Sequence, residues 1–182
     1  PAINAAITEA ASTGGGTVWF PAGTYLSGSI HLKSNVALYL DQGAVIEAEL
    51  DPAVYDPPEP NPHDKYQDFG HSHWENSLIW GIGLENISIL GPGMIHGKGL
   101  TRSLRRDNLP DGLANKAIAL KNCRNVILRD FSILKGGHFG LLATGVDNLT
   151  IDNLKIDTNR DGLDIDCCKN VRVSNCSINS PW

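Results

Sequence analysis

The sequence has no long apolar run and no strong excess of charge of one sign. No apolar stretch approaches the ~18–20 residues that a membrane-spanning helix needs. Charged residues make up 19% of the chain and the formal net charge is −5, so the broad basic field of a nucleic-acid binder is absent. Hydrophobic residues make up 41% of the 182 positions. This composition excludes an intrinsically disordered chain and suffices for one folded domain with a core.

A short phrase recurs along the chain: asparagine, apolar, any residue, apolar. It begins at Asn86, Asn125, Asn148 and Asn170, and an earlier copy begins at Asn35. The last two intervals are 23 and 22 residues. A short period that carries alternating strands is typical of a solenoid whose strands stack coil on coil. Each asparagine is expected at a turn, where its side-chain amide bonds the same group one coil away.

Apolar residues recur at fixed distances after each asparagine. The columns are Ile87, Val126, Leu149 and Val171 at one residue, Ile89, Leu128, Ile151 and Val173 at three, and Met94, Ile133, Ile156 and Ile178 at eight. Uniformly apolar columns predict inward-facing stacks of a parallel coil.

The four cysteines follow the same repeat. Cys123 and Cys168 stand two residues before their asparagines, and Cys176 stands where earlier repeats have phenylalanine and leucine. Coils stacked about 4.8 Å apart would separate Cys123 from Cys168 by about 10 Å, too far for a disulfide. The spacing, which includes Cys167, matches no zinc pattern. Free core thiols are therefore expected.

The rest of the chain indicates a capped coil with two insertions. Ile3, Ile7 and Ala10 have helical spacing, and a helix here would cover the open end of the strand stack. The intervals from Asn35 to Asn86 and from Asn86 to Asn125, 51 and 39 residues, exceed one coil. We expect a single domain over 1–182 with surface-loop insertions at about 51–76 and 97–116.

Carboxylates gather near the end of the chain. The place thirteen residues after the asparagine holds His138 in one repeat and Asp161 in the next, which predicts that the two stack on one outer face. In GLDID, residues 162–166, the two aspartates should point outward. They fit a solvated face, or a set that hydrolyses glycosidic bonds, in which one carboxyl protonates the leaving oxygen and another activates water.

Four stretches of the chain carry a family resemblance. They are AINAAITEAASTGGGTVWFPAGTYLSGSIHLKSNVALYLDQGAVIEA, ENISILGPGMIHGKG, TNRDGLDID and KNVRVSNCSINSPW. Together they resemble the N-terminal part of glycoside hydrolase family 28, the polygalacturonase-like pectinases. Asn159, Asp161 and Gly162 match the family's first motif of asparagine, threonine, aspartate and glycine, while Arg160 replaces the threonine. His96, outside that motif, stands where the family often has aspartate.

The resemblance implies an all-β fold, a right-handed parallel β-helix of the pectin-lyase type with a short N-terminal capping helix. It implies hydrolysis of pectin with inversion, in which Asp161 is one of the carboxylates that activate water. The general acid and the remaining coils would lie beyond Trp182, so the chain alone is expected to be inactive.

The same resemblance implies substrate-binding roles for Asn159, Arg160, His138 and Lys135. Arg160 and Lys135 are candidate partners of uronate carboxylates, although a plain solvated charge stays open for each. His138 equally suits a polar turn position.

The expected partner is a pectic polysaccharide or oligosaccharide, bound by a monomer without cofactor or metal, and without nucleic acid or membrane. Secretion or a periplasmic location follows from the resemblance, although no signal peptide is visible. A calcium-dependent polysaccharide lyase on the same fold, with the aspartates of 161–166 as ligands, stays open. So does a non-catalytic glycan-binding β-helix. The linkage cut, and endo or exo attack, are not indicated.

Overall fold

The computed structural model describes residues 1–67, 69–98, 100, 116–158 and 160–181. Its helices are α1 (Ala2–Ser12) and α2 (Phe69–Ser72), with 3₁₀ turns at Pro52–Val54 and Asp64–Tyr66. Its strands are β1 (Gly16–Phe20), β2 (Gly23–Ser27), β3 (Ile30–His31), β4 (Val36–Leu40), β5 (Ala44–Ala48), β6 (Ile79–Ile82), β7 (Glu85–Leu90), β8 (Met94–His96), β9 (Lys116–Lys121), β10 (Arg124–Arg129), β11 (Ser132–Leu134), β12 (Phe139–Thr144), β13 (Asp147–Asp152), β14 (Lys155–Asp157), β15 (Asp161–Asp166), β16 (Lys169–Ser174) and β17 (Ser177–Asn179). No helix in these ranges is long and apolar enough to cross a bilayer.

The strands form three parallel sheets, and each coil supplies one strand to each sheet in turn. Sheet A has the order β1-β4-β7-β10-β13-β16, sheet B has β2-β5-β8-β11-β14-β17, and sheet C has β3-β6-β9-β12-β15. Every pair of neighbouring strands within these sheets is parallel. The chain is therefore a parallel β-helix, and the predicted fold is confirmed.

The repeated asparagines form one hydrogen-bonded ladder at the start of sheet A. Each Nδ2 donates to the Oδ1 one coil earlier: Asn86 to Asn35 at 2.8 Å, Asn125 to Asn86 at 2.9 Å, Asn148 to Asn125 at 2.9 Å and Asn170 to Asn148 at 3.0 Å. All five have φ between 53° and 64°, a left-handed conformation that asparagine tolerates better than most residues. The predicted amide ladder is confirmed, but only Asn35 lies in a turn, and the other four asparagines are the second residues of β7, β10, β13 and β16.

The predicted inward columns hold in sheet A and shift once in sheet B. The columns one and three residues after the asparagines are in register from β7 to β16. In sheet B, Ile133 pairs with Ile95 and not with Met94, so Met94 was wrongly assigned to this column. The turn at 91–93 has three residues and the turn at 130–131 has two. The extra residue before β8 shifts that strand by one position. Ile95 therefore occupies the place in the column that counting from the asparagine assigned to Met94.

Helix α1 caps the first coil, as predicted. Ile7 is fully buried in the core. The Asn4 side chain donates to the Ser29 carbonyl at 2.9 Å and accepts from the His31 N–H at 2.9 Å. The helix thus covers the core and also satisfies backbone groups at the end of sheet C that would otherwise lack a strand partner.

The four cysteines are free thiols. Cys123 is 2% exposed, and Cys168 and Cys176 are half-buried against the same core, which confirms the predicted absence of a disulfide between Cys123 and Cys168. Cys167 is exposed in a turn. Burial raises the pKa of the Cys123 thiol, so this sulfur stays protonated and acts as a small apolar side chain.

Residues 51–76, here called the cover segment, connect sheet B to sheet C and fold back onto sheet C. Asp56 Oδ2 accepts hydrogen bonds from His31 Nε2 at 2.7 Å and from Trp80 Nε1 at 2.8 Å. The Glu59 carboxylate accepts hydrogen bonds from the backbone N–H groups of Trp74 and Glu75, near the end of the segment, at 3.0–3.1 Å. Most of the second expected insertion, 97–116, lies outside the described residues.

Candidate active site

The candidate residues lie in the turns that lead from sheet B to sheet C in two adjacent coils. One turn, residues 135–138, precedes β12, and the other, residues 158–160, precedes β15, which Asp161 begins. Lys135 is exposed and lies at the start of the first turn. Asn159 lies outside the described residues. The structure therefore brings His138, Arg160 and Asp161 into contact range, and leaves Lys135 on the same edge one coil earlier.

His138 and Asp161 do not share a column, which corrects the expectation from the repeat. The register partner of Asp161 is Phe139, while the His138 ring contacts the Arg160 guanidinium. The turn before β12 has four residues, 135–138, whereas the turn before β15 has three, 158–160. Counting residues from the repeat asparagine gives the correct register partners in sheet A. Here the count is wrong by one residue, because the turn before β12 is one residue longer.

The Phe139 ring is a buried support beneath the site, with no exposed surface. His138 packs edge-on against it at 4.5 Å between ring centroids, and His71 of the cover segment does the same at 4.7 Å. The Arg160 guanidinium lies over the ring with Cζ 5.4 Å from the centroid. Edge-on rings and a cation over the face are both favourable for an aromatic ring. Phe139 therefore contacts three polar side chains, those of His71, His138 and Arg160.

Arg160 and Asp161 form a loose ion pair at the open edge of this cluster. Arg160 Nε lies 3.8 Å from Asp161 Oδ2, and the two side chains are 24% and 43% exposed. The Arg160 carbonyl accepts a hydrogen bond from Ser180 Oγ in the following turn. Asp161 is thus accessible to solvent, as a carboxylate that activates water must be.

Gly162, which follows Asp161 in β15, is buried. A Cβ added at Gly162 would lie 2.6 Å from Ile178 Cγ2 and 3.4 Å from Ile156 Cγ2, so this position faces the inside of the coil. The apolar residues Leu163 and Ile165 pack against the core, which confirms the predicted inward positions in this strand. Within the described residues, no three His, Cys, Asp or Glu side chains are grouped so as to hold a metal ion.

His71 and Asp164 form a contact that sequence reasoning missed. His71 Nε2 lies 2.7 Å from Asp164 Oδ2, with side chains 31% and 22% exposed. His71 comes from α2, in the cover segment. The only signal in the sequence was the cluster of histidines and aromatics in 51–76, and it did not indicate which coil they would meet.

The cover segment buries the outer face of sheet C in the coils that precede Asp161. Ala119 and Leu142 are in register with each other and fully buried, and both pack with Trp74. Trp74 Nε1 donates to Thr144 Oγ1 at 3.2 Å, and Lys121 Nζ lies 3.8 Å above the Trp74 ring. The next residue of the outer column, Asp164, is again part-exposed. The face is closed on one side of the site and opens at β15.

A family model described as a right-handed β-helix region matches residues 76–181. The chain belongs to this right-handed β-helix family. A second family model, described as rhamnogalacturonase A/epimerase, pectate lyase-like, matches residues 1–51. The two matches cover most of the β-helix between them.

Proteins similar to this β-helix include several that are described as polygalacturonases. A probable polygalacturonase of Vitis vinifera is 26% identical over 94% of this chain and 36% of its own length. An exopolygalacturonase from Thermotoga maritima is 22% identical, with a TM-score of 0.76 over 98% of this chain and 48% of its own. A family 28 exopolygalacturonase of Yersinia enterocolitica is 22% identical, with a TM-score of 0.71 over 97% and 40%.

The chain spans about a third of the length of its curated relative, 36%. The resemblance to polygalacturonase-like pectinases is confirmed by that relative and by the family models, and the solved structures show the fold.

Proposed function

We propose that the protein is a glycoside hydrolase of the polygalacturonase type, which cleaves pectic polysaccharide with inversion and uses Asp161 to activate water. The observation that carries this proposal is the placement of Asp161. It begins β15 on the open part of sheet C and is 43% exposed beside Arg160. The match of Asp161 and Gly162 to the pectinase motif, and relatives described as polygalacturonases, support the assignment.

The geometry of a β-helix suits the second carboxyl group that inversion requires. In inverting enzymes the two groups stand about 6.5–9.5 Å apart, which leaves room for water. One coil of rise, about 4.8 Å, plus a lateral offset gives such a separation. In the coils before Asp161, its column holds Phe139 and Lys116 and no carboxylate. In the family that the chain resembles, the acid belongs to the coil after Asp161, so we expect the 182-residue chain by itself to be inactive.

Substrate binding is proposed for the polar residues around Asp161. The Arg160 guanidinium is part-exposed and can bind a uronate carboxylate through two parallel hydrogen bonds. Lys135, exposed one coil earlier, is a second candidate, and Asn159 stays a candidate from the motif alone. His138 is 6% exposed, so its expected role is to hold Arg160. Action on such a polymer implies a secreted or periplasmic protein, expected to act as a monomer.

The covered face favours attack at the end of a polysaccharide chain. A polymer could not run along sheet C past Asp161 without displacing Trp74 from Ala119 and Leu142, which are fully buried. Two structural relatives are described as exopolygalacturonases. We therefore propose that the enzyme removes units from a chain end.

The test is product analysis on polygalacturonic acid with the full-length gene product that carries this chain. The proposal predicts new reducing ends with inverted anomeric configuration by ¹H NMR, and small products without an early fall in viscosity. Unsaturated, UV-absorbing products that vanish with a chelator would support the lyase. Binding of oligogalacturonides without any cleavage would support a glycan-binding role.

A further inference from the structure

Helix α2 is held tightly against the turn before β12. A Cβ added at Gly70 would lie 2.1 Å from His138 Nε2, so the backbone of α2 touches the His138 ring directly. This contact fixes the next residue, His71, whose ring packs edge-on against Phe139 at 4.7 Å. His71 is thus held at the border between the covered and open parts of sheet C.

His71 engages only one side of the Asp164 carboxylate. Its Nε2 lies 2.7 Å from Asp164 Oδ2, and in the described part of the chain Asp164 Oδ1 has no hydrogen-bond partner. The Asp164 side chain is 22% exposed. An ionised carboxylate is an acceptor only, so the second oxygen suits a hydroxyl group of a ligand and disfavours another carboxylate.

Arg160 offers hydrogen-bond donors where Asp164 offers an acceptor, and it lies on another side of the Phe139 ring. Its guanidinium lies over the Phe139 ring and offers hydrogen-bond donors to a carboxylate. A ligand beside Phe139 would therefore meet donors at Arg160 and an acceptor at Asp164. A uronic acid, with a carboxylate on one edge and hydroxyl groups on others, has matching chemistry.

We infer that His71 is a positioning residue that holds Asp164 to bind a hydroxyl group of the terminal sugar residue at the closed side of the site. This inference rests on the proposed function and adds a specificity determinant supplied by the cover segment. The purely structural alternative is that His71 only fastens the cover segment to β15. In that case its loss would lower stability without changing which sugar ends are accepted.

The experiment compares oligosaccharides that are altered at one end or the other. Trigalacturonate is compared with an unsaturated trimer that lacks the C4 hydroxyl of its non-reducing end, and with a trimer reduced at its other end. The full-length gene product is studied as wild type and as His71→Ala, His71→Gln and Asp164→Asn. His63→Ala is the matched control, because His63 is exposed on the same segment. Thermal unfolding of every variant is recorded.

Wild type and His63→Ala should hydrolyse trigalacturonate in preference to one of the two altered trimers. The difference in kcat/KM should be about tenfold or more, as expected for a hydrogen bond to a charged group. His71→Ala and Asp164→Asn should reduce this preference to under about threefold, mainly through KM. His71→Gln, which can still donate to Asp164, should retain most of it. An unchanged preference in His71→Ala, whatever its thermal midpoint, would overturn the inference, as would a wild type without any preference.

Failure of the proposed function gives a different pattern. If wild type does not hydrolyse pectic substrates, the same preference is measured as a ratio of dissociation constants by calorimetry. If the ratio of dissociation constants differs between His71→Ala and wild type, the inference is supported for a protein that binds these sugars without cleaving them. A ratio that does not differ, or no binding of any trimer, would overturn it.

Discussion

Phe139 and Asp161 are register partners on neighbouring coils, the first fully buried and the second 43% exposed. The buried ring is a rigid neighbour for the carboxylate, and it also fixes the position of Arg160. A cation therefore lies beside Asp161, with Arg160 Nε 3.8 Å from Asp161 Oδ2. Preorganised groups of this kind bind more tightly because less side-chain freedom is lost on binding.

Arg160 is expected to bind the uronate carboxylate. Arg160→Gln should raise KM for polygalacturonate by about 10–100-fold, and Arg160→Lys by less, since lysine keeps the charge but lacks the fork of donors. The measurement is KM on de-esterified and on highly methyl-esterified pectin. The esterified polymer lacks the free carboxylate, so the effect of Arg160→Gln should nearly disappear there. An equal effect on both polymers would contradict this role.

Gly70 is expected to control the closed side of the site. The methyl group of Gly70→Ala would collide with the His138 ring, and because both sides are packed, α2 should lift from the turn. We expect internal cleavage to appear, seen as an early fall in viscosity relative to the release of reducing ends. The double variant Gly70→Ala/His138→Ala removes the colliding ring and should restore the wild-type ratio of viscosity loss to reducing ends, while its KM rises because His138 no longer holds Arg160. A single variant that keeps the wild-type pattern would be inconsistent with closure by the cover segment.

Asn125 is expected to stabilise the coil stack through its conformation and its two ladder bonds. Asn125→Ala loses both bonds and places alanine at φ 56°, which costs roughly 1–2 kcal/mol for a residue with a Cβ. Asn125→Gly loses the same bonds but adopts this φ freely. In urea unfolding, the alanine variant should therefore be the less stable of the two. Equal stabilities would show that the backbone conformation contributes little.

Glu75 gives a pH-dependent prediction for the cover segment. Burial raises the pKa of Glu75 above its ordinary value of 4.5, aided by Glu59 and Asp56 and opposed by His31 and Lys121. Ionised Glu75 is thus less favourable in the folded chain than in the unfolded one. The contribution of Glu75 to stability is therefore fully present at pH values below its ordinary pKa. That contribution is lost as the pH rises through the raised pKa of the folded chain.

Glu75→Gln should therefore raise the thermal midpoint at about pH 7 and change it little at about pH 3.5. Glu9→Gln, on the exposed surface of α1, is the control and should show no such difference. If the thermal midpoint of Glu75→Gln, relative to that of wild type, were lower at the higher pH than at the lower pH, the effect would have the wrong sign.

The coil stack could be predicted from the sequence because the asparagines repeat the same local conformation and the same bond in every coil. The position of Phe139 beside Asp161 could not, because one additional residue in the turn 135–138 shifts the strand, and no repeated residue marks the length of that turn. The contact between His71 and Asp164 spans 93 residues. It depends on how a non-repeating segment packs, which a periodic pattern does not encode.

The central claim is tested most directly by Asp161→Asn in the full-length gene product, with hydrolysis of polygalacturonate measured by release of reducing ends. Asparagine keeps the shape of the side chain but cannot take a proton from water, so kcat should fall by at least about 10²–10⁴-fold with little change in KM. Asp166→Asn, on the same outer face of β15, is the matched control and should stay within about threefold of wild type. Asp161→Asn with wild-type kcat would contradict the assignment of Asp161 as the residue that activates water.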